Sequence, residues 1–204
     1  MIKPIVEGHG EYEAVPVLLR RIAQECFEIY DDVILRPGRY PSSQLIRKDG
    51  QQWKPGPAFS KASGHARNEG ATALLVILDL DDDCAKQVSE SVVPSLINAT
   101  GFSSVGLVFA VREYEAWFLA SAETLGNVLP YPDEPESPRG AKEKLEEHLG
   151  LKYPYDERTD QPRYSSKIDL VAVYKRCRSF RKLVKEFRNS LESLGFSPTD
   201  WPKE

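Results

Sequence analysis

Cysteine is scarce in this chain. Cys26, Cys84 and Cys177 are widely spaced and form no CxxC pair, which argues against both a disulfide framework and a thiolate zinc site. Histidine is equally sparse. His65 and His148 have no partner at ligand spacing, and His9 reads as a loop residue that either touches substrate or is simply exposed. No apolar run reaches the roughly 18–20 residues of a membrane-spanning helix, and no signal peptide opens the chain. The expectation is a cytoplasmic protein with no membrane contact. Internal repeats and low-complexity tracts are absent, as are complete GxGxxG and GxxxxGK phosphate loops.

What is there describes an ordinary globular protein: 204 residues, 41% hydrophobic and 28% charged, enough to bury a core as one domain with an appendage. The formal charge of −4 is unevenly spread. Residues 1–138 carry 12 Lys/Arg against 20 Asp/Glu, and residues 139–188 carry 14 against 8. An acidic end joined to a basic segment suits a protein that binds metal in one region and a polyanion in another; the plainer reading is a solvated helix face.

Ile2–Val6 and Ala71–Leu78 read as buried strands, Asp32–Arg36 as a further strand and Ser104–Val111 as the next. Helices are expected from Glu11 to about Phe27, over Ala58–Glu69 before Gly70, from about Cys84 to Ala99, and over Glu113–Ala120. Pro37 to Pro57 reads as a mobile loop, and Gly126 to Arg139 as a Pro-rich excursion. Ser179–Leu194 is the clearest late helix. Phe180, Leu183, Val184, Phe187, Leu191 and Leu194 form one stripe, and Gly195 stands as its C-cap. Alternating strands and helices predict an α/β fold around a small, mostly parallel sheet flanked by helices, with a helical basic C-terminal segment. Residues 1–125 form the expected metal-binding α/β domain, with 126–204 packed on it as the Pro-rich excursion and helical extension.

In such sheets ligands gather at the carboxyl ends of strands, and two acidic clusters fall there. Glu7-Gly-His-Gly-Glu11 follows the first strand, and Asp79-Leu-Asp81-Asp82-Asp83 follows the Ala71–Leu78 strand. Crowded carboxylates repel unless a cation sits between them, and an all-oxygen set suits Mg²⁺ or Mn²⁺. Glu7 and Glu11 either face one cation or divide metal binding and proton transfer; Glu11 alternatively only complements a helix N-terminus. Gly8 and Gly10 alternatively form an anion loop, although two glutamates oppose that. Asp79 and Asp81, two apart in an extended chain, share a face. Asp79, Asp81, Asp83 and Glu90 also match EF-hand spacing, but Cys84 stands where the calcium loop needs Gly. Glu115 is a candidate late ligand. Trp117 and Phe118 read as core. Lys167 is either a stabiliser of phosphoryl charge or a surface lysine.

Together Ile5-Val-Glu-Gly-His-Gly-Glu11 and Leu78-Asp-Leu-Asp-Asp-Asp83 resemble the two acidic motifs of the Toprim (topoisomerase–primase) fold, and Glu11 resembles the extra glutamate of its nuclease branch. Including Glu113-Tyr-Glu-Ala-Trp117 and Ser179-Phe-Arg-Lys182, the chain is similar to stand-alone bacterial Toprim-like proteins, the family catalogued as domain of unknown function 4276. The resemblance implies a four-stranded parallel sheet, one or two Mg²⁺ ions, Glu7 as the catalytic glutamate and Asp79 and Asp81 as metal ligands. Glu11 matches only the nuclease subset, and Lys167 stands for a late catalytic lysine. It also implies a setting beside an ATPase partner in phage defence. The expected activity is a metal-dependent nuclease, with Arg178, Arg181, Lys182 and Lys185 holding the nucleic-acid backbone. A non-catalytic regulatory module and an enzyme acting on a nucleotide or small phosphoester are the alternatives.

Overall fold

The structure, a computed structural model, describes residues 1–202 other than Gln51, Asp81, Asp82, Pro138 and the side chain of Ala99. The chain runs β1 (Ile2–Val6), α1 (His9–Arg21) with a π-helical turn at Ile22–Cys26, β2 (Gly38–Arg39) and α2 (Ser42–Leu45). β3 (Ile46–Asp49), β4 (Gln52–Pro55), α3 (Pro57–Asn68), β5 (Ala73–Leu80), α4 (Ala85–Thr100) and β6 (Ser104–Val111) follow. The last part holds α5 (Ala116–Leu119), α6 (Ala141–Leu149), α7 (Glu157–Ser165), α8 (Leu170–Arg176) and α9 (Arg178–Ser193). Among the described residues no helix is long and apolar enough to cross a membrane.

The fold is α/β. One sheet has the order β2-β1-β5-β6, with every neighbouring pair parallel, and β3 and β4 form a separate antiparallel hairpin. The central strands are buried on both faces, which is why they read as continuous apolar runs rather than alternating ones. Alternation along β5 sends Ala73, Leu75 and Ile77 into a layer shared with α1, α5, α7, α8 and α9. It sends Leu74, Val76 and Leu78 into a second layer under α3 and α4. The 126–204 segment therefore contributes to the first layer: Tyr164, Ile168, Val173, Phe180 and Phe187 are buried in it.

α9 follows the expected stripe. Phe180, Leu183, Val184, Phe187 and Leu191 are buried, and Gly195, at φ +89°, ends the helix as Gly195 N–H donates to Glu192 O and Phe196 N–H to Leu191 O. Gly106 lets α9 approach the sheet, since a Cβ there would meet Glu186 Cβ at 3.0 Å and Leu75 Cδ1 at 2.9 Å. Trp117 and Phe118 are core, and Trp117 Nε1 donates to Ser179 Oγ at 2.7 Å.

Three sequence expectations need correction. The segment Asp32–Arg36 pairs with β1 only through an isolated bridge at Ile34, and the strand proper falls at Gly38–Arg39. Pro37 lacks the N–H that would carry one ladder into the next. Residues 37–57 are no featureless loop but β2, α2 and the β3–β4 hairpin, which is pinned at its base by Gly56 N–H donating to Leu45 O at 2.6 Å. Finally, β5 runs two residues past its expected end, with Asp79 opposite Ala110 and Leu80 opposite Val111. Asp79 thus belongs to the strand, in line with Ala73, Leu75 and Ile77.

Candidate functional site

β1, β5 and β6 are parallel neighbours, so their carboxyl ends open on one edge of the sheet. Glu7 follows β1, Glu11 lies in the first turn of α1, Asp79 is near the end of β5, and Glu113 and Glu115 follow β6. These five carboxylates line one cleft of about 330 Å³, closed on its other side by Lys142 and Glu143 of α6 and Glu157 and Gln161 of α7. The sequence reading brought Glu7, Glu11, Asp79 and Glu115 together, and the structure places all four there. Asp81 lies outside the described residues.

Two glycines shape the floor. A Cβ on Gly8 would stand 2.1 Å from Glu11 Oε2, so the Glu11 carboxylate folds back over the strand–helix turn. A Cβ on Gly10 would stand 2.2 Å from Gln161 Oε1 and 2.8 Å from the Glu157 carbonyl oxygen, so α7 lies directly on the start of α1. Gln161, 3% exposed, donates through Nε2 to Glu115 Oε1 at 2.8 Å. Its Oε1 is buried without a hydrogen bond.

Three carboxylates have local donors. Glu7 Oε1 accepts from Ser42 Oγ at 2.8 Å and Ser42 N–H at 3.2 Å. Glu113 accepts from the Gly140 and Lys142 main-chain N–H groups at 3.1 and 3.0 Å, holding the start of α6. Glu115 has Gln161. Asp79 receives no hydrogen bond among the described residues. Burial, followed by the charges of Glu11, Glu115, Glu7 and Glu113, holds its carboxyl well above the ordinary range. Burial also pushes the Glu11 carboxyl up to about 7, reinforced by Glu115, Glu157 and Glu7 against a hydrogen bond from its own main-chain N–H. The Glu115 carboxyl is raised by burial and held back by the Gln161 bond. Among the described residues lining the cleft, Lys142 is the only cation, 3.0 Å from Glu157 Oε1.

The donor set suits a hard divalent cation: carboxylate and amide oxygens, strongly negative, with Asp79 and Glu11 receiving no hydrogen bond from other residues among those described. The side chains do not already close on one point. Among the described residues no three Asp, Glu, His or Cys side chains form a group that could hold a metal ion.

Lys167 is elsewhere. It is exposed beyond the end of α7 and does not line the cleft; the cation there is Lys142, which follows no motif and reaches the site because Glu113 caps α6. The basic residues of α9 divide. Arg178 borders a groove of about 590 Å³ beside the end of β5, Arg181 and Lys185 border a different cleft with Tyr174 and Trp201, and Lys182 stands between the two and lines both. Arg181 donates to the Tyr174 and Lys175 carbonyls, Lys182 pairs with Glu186, and Lys185 has no ion pair among the described residues. Glu136 caps α9 by accepting from the Arg178 and Ser179 N–H groups. Glu143, Glu157 and Gln161 were also missed by the sequence reading. They lie far from the acidic motifs in the chain, and the usable signal was the four-residue spacing that puts Glu157 and Gln161 on one helix face.

Neither a curated protein nor a solved structure matches the chain. A family model described as "Domain of unknown function (DUF4276)" matches residues 6–188. That match begins at the last residue of β1, takes in both acidic motifs, β2, the hairpin, β5 and β6, and ends within α9 at Arg188, so the chain belongs to the DUF4276 family.

Proposed function

We propose that the protein is a Mg²⁺- or Mn²⁺-dependent phosphodiester hydrolase of Toprim type, a nuclease working with an ATPase partner. The observation that carries this reading is the meeting of Glu7, Glu11, Asp79 and Glu115 at the carboxyl ends of adjacent parallel strands, with three of the carboxyls, those of Glu11, Asp79 and Glu115, raised by burial and neighbouring charge. Glu7, Glu11 and Asp79 would hold the cation, joined by Glu115 and by Asp81, which lies outside the described residues. A bound divalent ion supplies Lewis-acid stabilisation of a phosphoryl oxygen and a more acidic water.

The chain's own groups supply the rest. Glu11, whose carboxyl is pushed up to about 7 by burial in the cation-free protein, would be held as a carboxylate once the cation binds. Lys142 Nζ, beside Glu157 and within the field of Glu115, offsets negative charge that grows in the cleft. Gln161 fixes the Glu115 carboxylate and covers it from water.

The test is plasmid nicking in Mg²⁺ and in Mn²⁺ by the wild type and by Asp79→Asn, with circular dichroism to check folding. Asp79→Asn is expected to abolish nicking; undiminished cutting by that variant rejects the assignment. One observation favours a second reading, a non-catalytic module. Glu7, Glu113 and Glu115 already have donors, and no described trio is set to hold a metal. Calorimetric titration separates the two, because the module takes up no divalent cation.

A further inference from the structure

A second groove, of about 350 Å³, borders Asp79 from the opposite face of the sheet. Its floor is Ile46, Leu78, Leu80 and Phe109, and its wall is the β3–β4 hairpin with Arg47, Lys48 and Trp53, joined by the Ser42 and Ser43 side of α2. Ser42 is also the residue that donates to Glu7, so one short segment touches both the groove and the acidic cleft. Leu80 and Phe109 continue into the 590 Å³ groove that Arg178 and Lys182 border. The two grooves therefore form one track across the ends of β5 and β6.

The hairpin is built to hold its shape. Its base is fixed by the Gly56–Leu45 hydrogen bond, and Gly56 has no room for a side chain, because a Cβ would meet the Gln44 carbonyl oxygen at 2.2 Å. Trp53 packs against the second core layer yet stays half-buried, with the Lys48 ammonium 5.3 Å from its ring centroid. Lys48 also pairs with Asp83 across the mouth of the track at 3.0 Å. Arg47 is exposed and has neither a hydrogen bond nor an ion pair among the described residues. Cations, a partly open aromatic face and an apolar floor match an unstacked base on a phosphodiester backbone, the chemistry of single-stranded nucleic acid. An acidic peptide would use the cations and leave the aromatic face and apolar floor idle.

We infer that this groove is the single-stranded nucleic-acid binding track, with Arg47 and Lys48 on backbone phosphates, Trp53 stacked on a base, and Asp79 at the point where the strand enters the acidic cleft. The inference rests on the phosphodiesterase reading and replaces the α9 stripe with the hairpin as the principal phosphate contact.

The experiment is fluorescence anisotropy with an end-labelled oligothymidylate in EDTA, where metal-dependent cutting cannot run and binding reports the hairpin track outside the acidic cleft. Trp53→Ala is expected to weaken binding about tenfold or more, the usual loss of one base–aromatic stack. Arg47→Ala/Lys48→Ala is expected to flatten the log K against log salt slope by about 1.4, two phosphates' worth on a single strand. Arg181→Ala/Lys185→Ala, which removes equal charge from the cleft on the far side of Lys182, outside the track, keeps wild-type binding. Wild-type affinity and slope in both hairpin variants, an equal loss in the Arg181/Lys185 pair, or no binding by the wild type would each overturn the inference. Failure here is distinct from failure of the hydrolase reading. A protein that nicks plasmid yet binds normally without its hairpin cations loses only the track, and one that binds through the hairpin yet never cuts loses only the hydrolysis.

Discussion

Replacing Glu11 by glutamine should make the cation-free protein more stable, at the same position where it should harm function. The Glu11 carboxyl, 9% exposed, is raised from an ordinary value of 4.5 to about 7, with burial as the largest cause. A group raised on folding stabilises the fold fully below its unfolded value, and that contribution disappears as pH rises through the folded value. At pH 8 the native carboxyl is ionised against its preference, at a cost of about 3 kcal/mol; at pH 5 the folded group is protonated and the difference from a neutral side chain shrinks to about 1 kcal/mol. Glutamine has the same shape and no charge. Urea unfolding of wild type and Glu11→Gln in EDTA at pH 8 and pH 5 should show the gain at pH 8 and most of it gone at pH 5. Millimolar Mg²⁺ should stabilise the wild type at pH 8 more than the variant, because a ligand that binds only the native state adds stability by mass action. A variant less stable than wild type at pH 8, or an equal gain at both pH values, refutes the claim that Glu11 is held as a strained carboxylate.

Gln161→Leu should lower stability at neutral pH by about 1.5–3 kcal/mol by removing the donor to the buried Glu115 carboxylate, and NMR titration should show the Glu115 carboxyl rising further. Trp117→Phe, which leaves Ser179 Oγ without its partner in the core, should cost about 1–3 kcal/mol in chemical denaturation with cation uptake unchanged. Gly10→Ala should cost about 1–3 kcal/mol, because the added methyl meets the Glu157 main-chain oxygen, which cannot swing aside. Gly8→Ala meets only the end of the Glu11 side chain, so its denaturation midpoint should stay near wild type while calorimetric Mg²⁺ affinity falls.

The strands that carry the site were legible because they are continuous apolar runs, and the two acidic clusters were legible because each follows such a run. The hairpin was not. β3 and β4 bury little beyond Ile46: β3 shows no alternation, and that of β4 runs over only four residues ending in Pro55, too few to mark a strand. The usable signal was Asp49-Gly50, a turn pair with Gly50 at φ +60°, followed by Trp53. The α9 stripe is a different case. Its apolar positions gave the helix correctly, while of the cations expected to hold a ligand, Arg181 and Lys182 have partners on the same stretch of chain. Charge count along a sequence cannot separate cations already satisfied at i+4 from those left open. Lys142 and Gln161 were out of reach for a different reason, since each enters the cleft through a helix packed from a distant part of the chain.

The two glycines in Glu7-Gly-His-Gly-Glu11 decide between the rival readings of that motif. A glycine-rich turn before a helix can cradle an anion on its amides, and then glycine is needed so that a phosphate can approach the main chain. Here the space above Gly8 is taken by the Glu11 carboxylate and the space above Gly10 by the Gln161 amide. An anion approaching that turn would meet a carboxylate first, with Glu115, Glu157 and Glu7 adding to the same field. The glycines serve the acids: one lets Glu11 fold back toward Asp79, the other lets α7 come close enough for Gln161 to reach Glu115. On the proposed reading, a motif whose small residues make room for negative side chains is suited to a cation, and a phosphate would enter such a site in company with one.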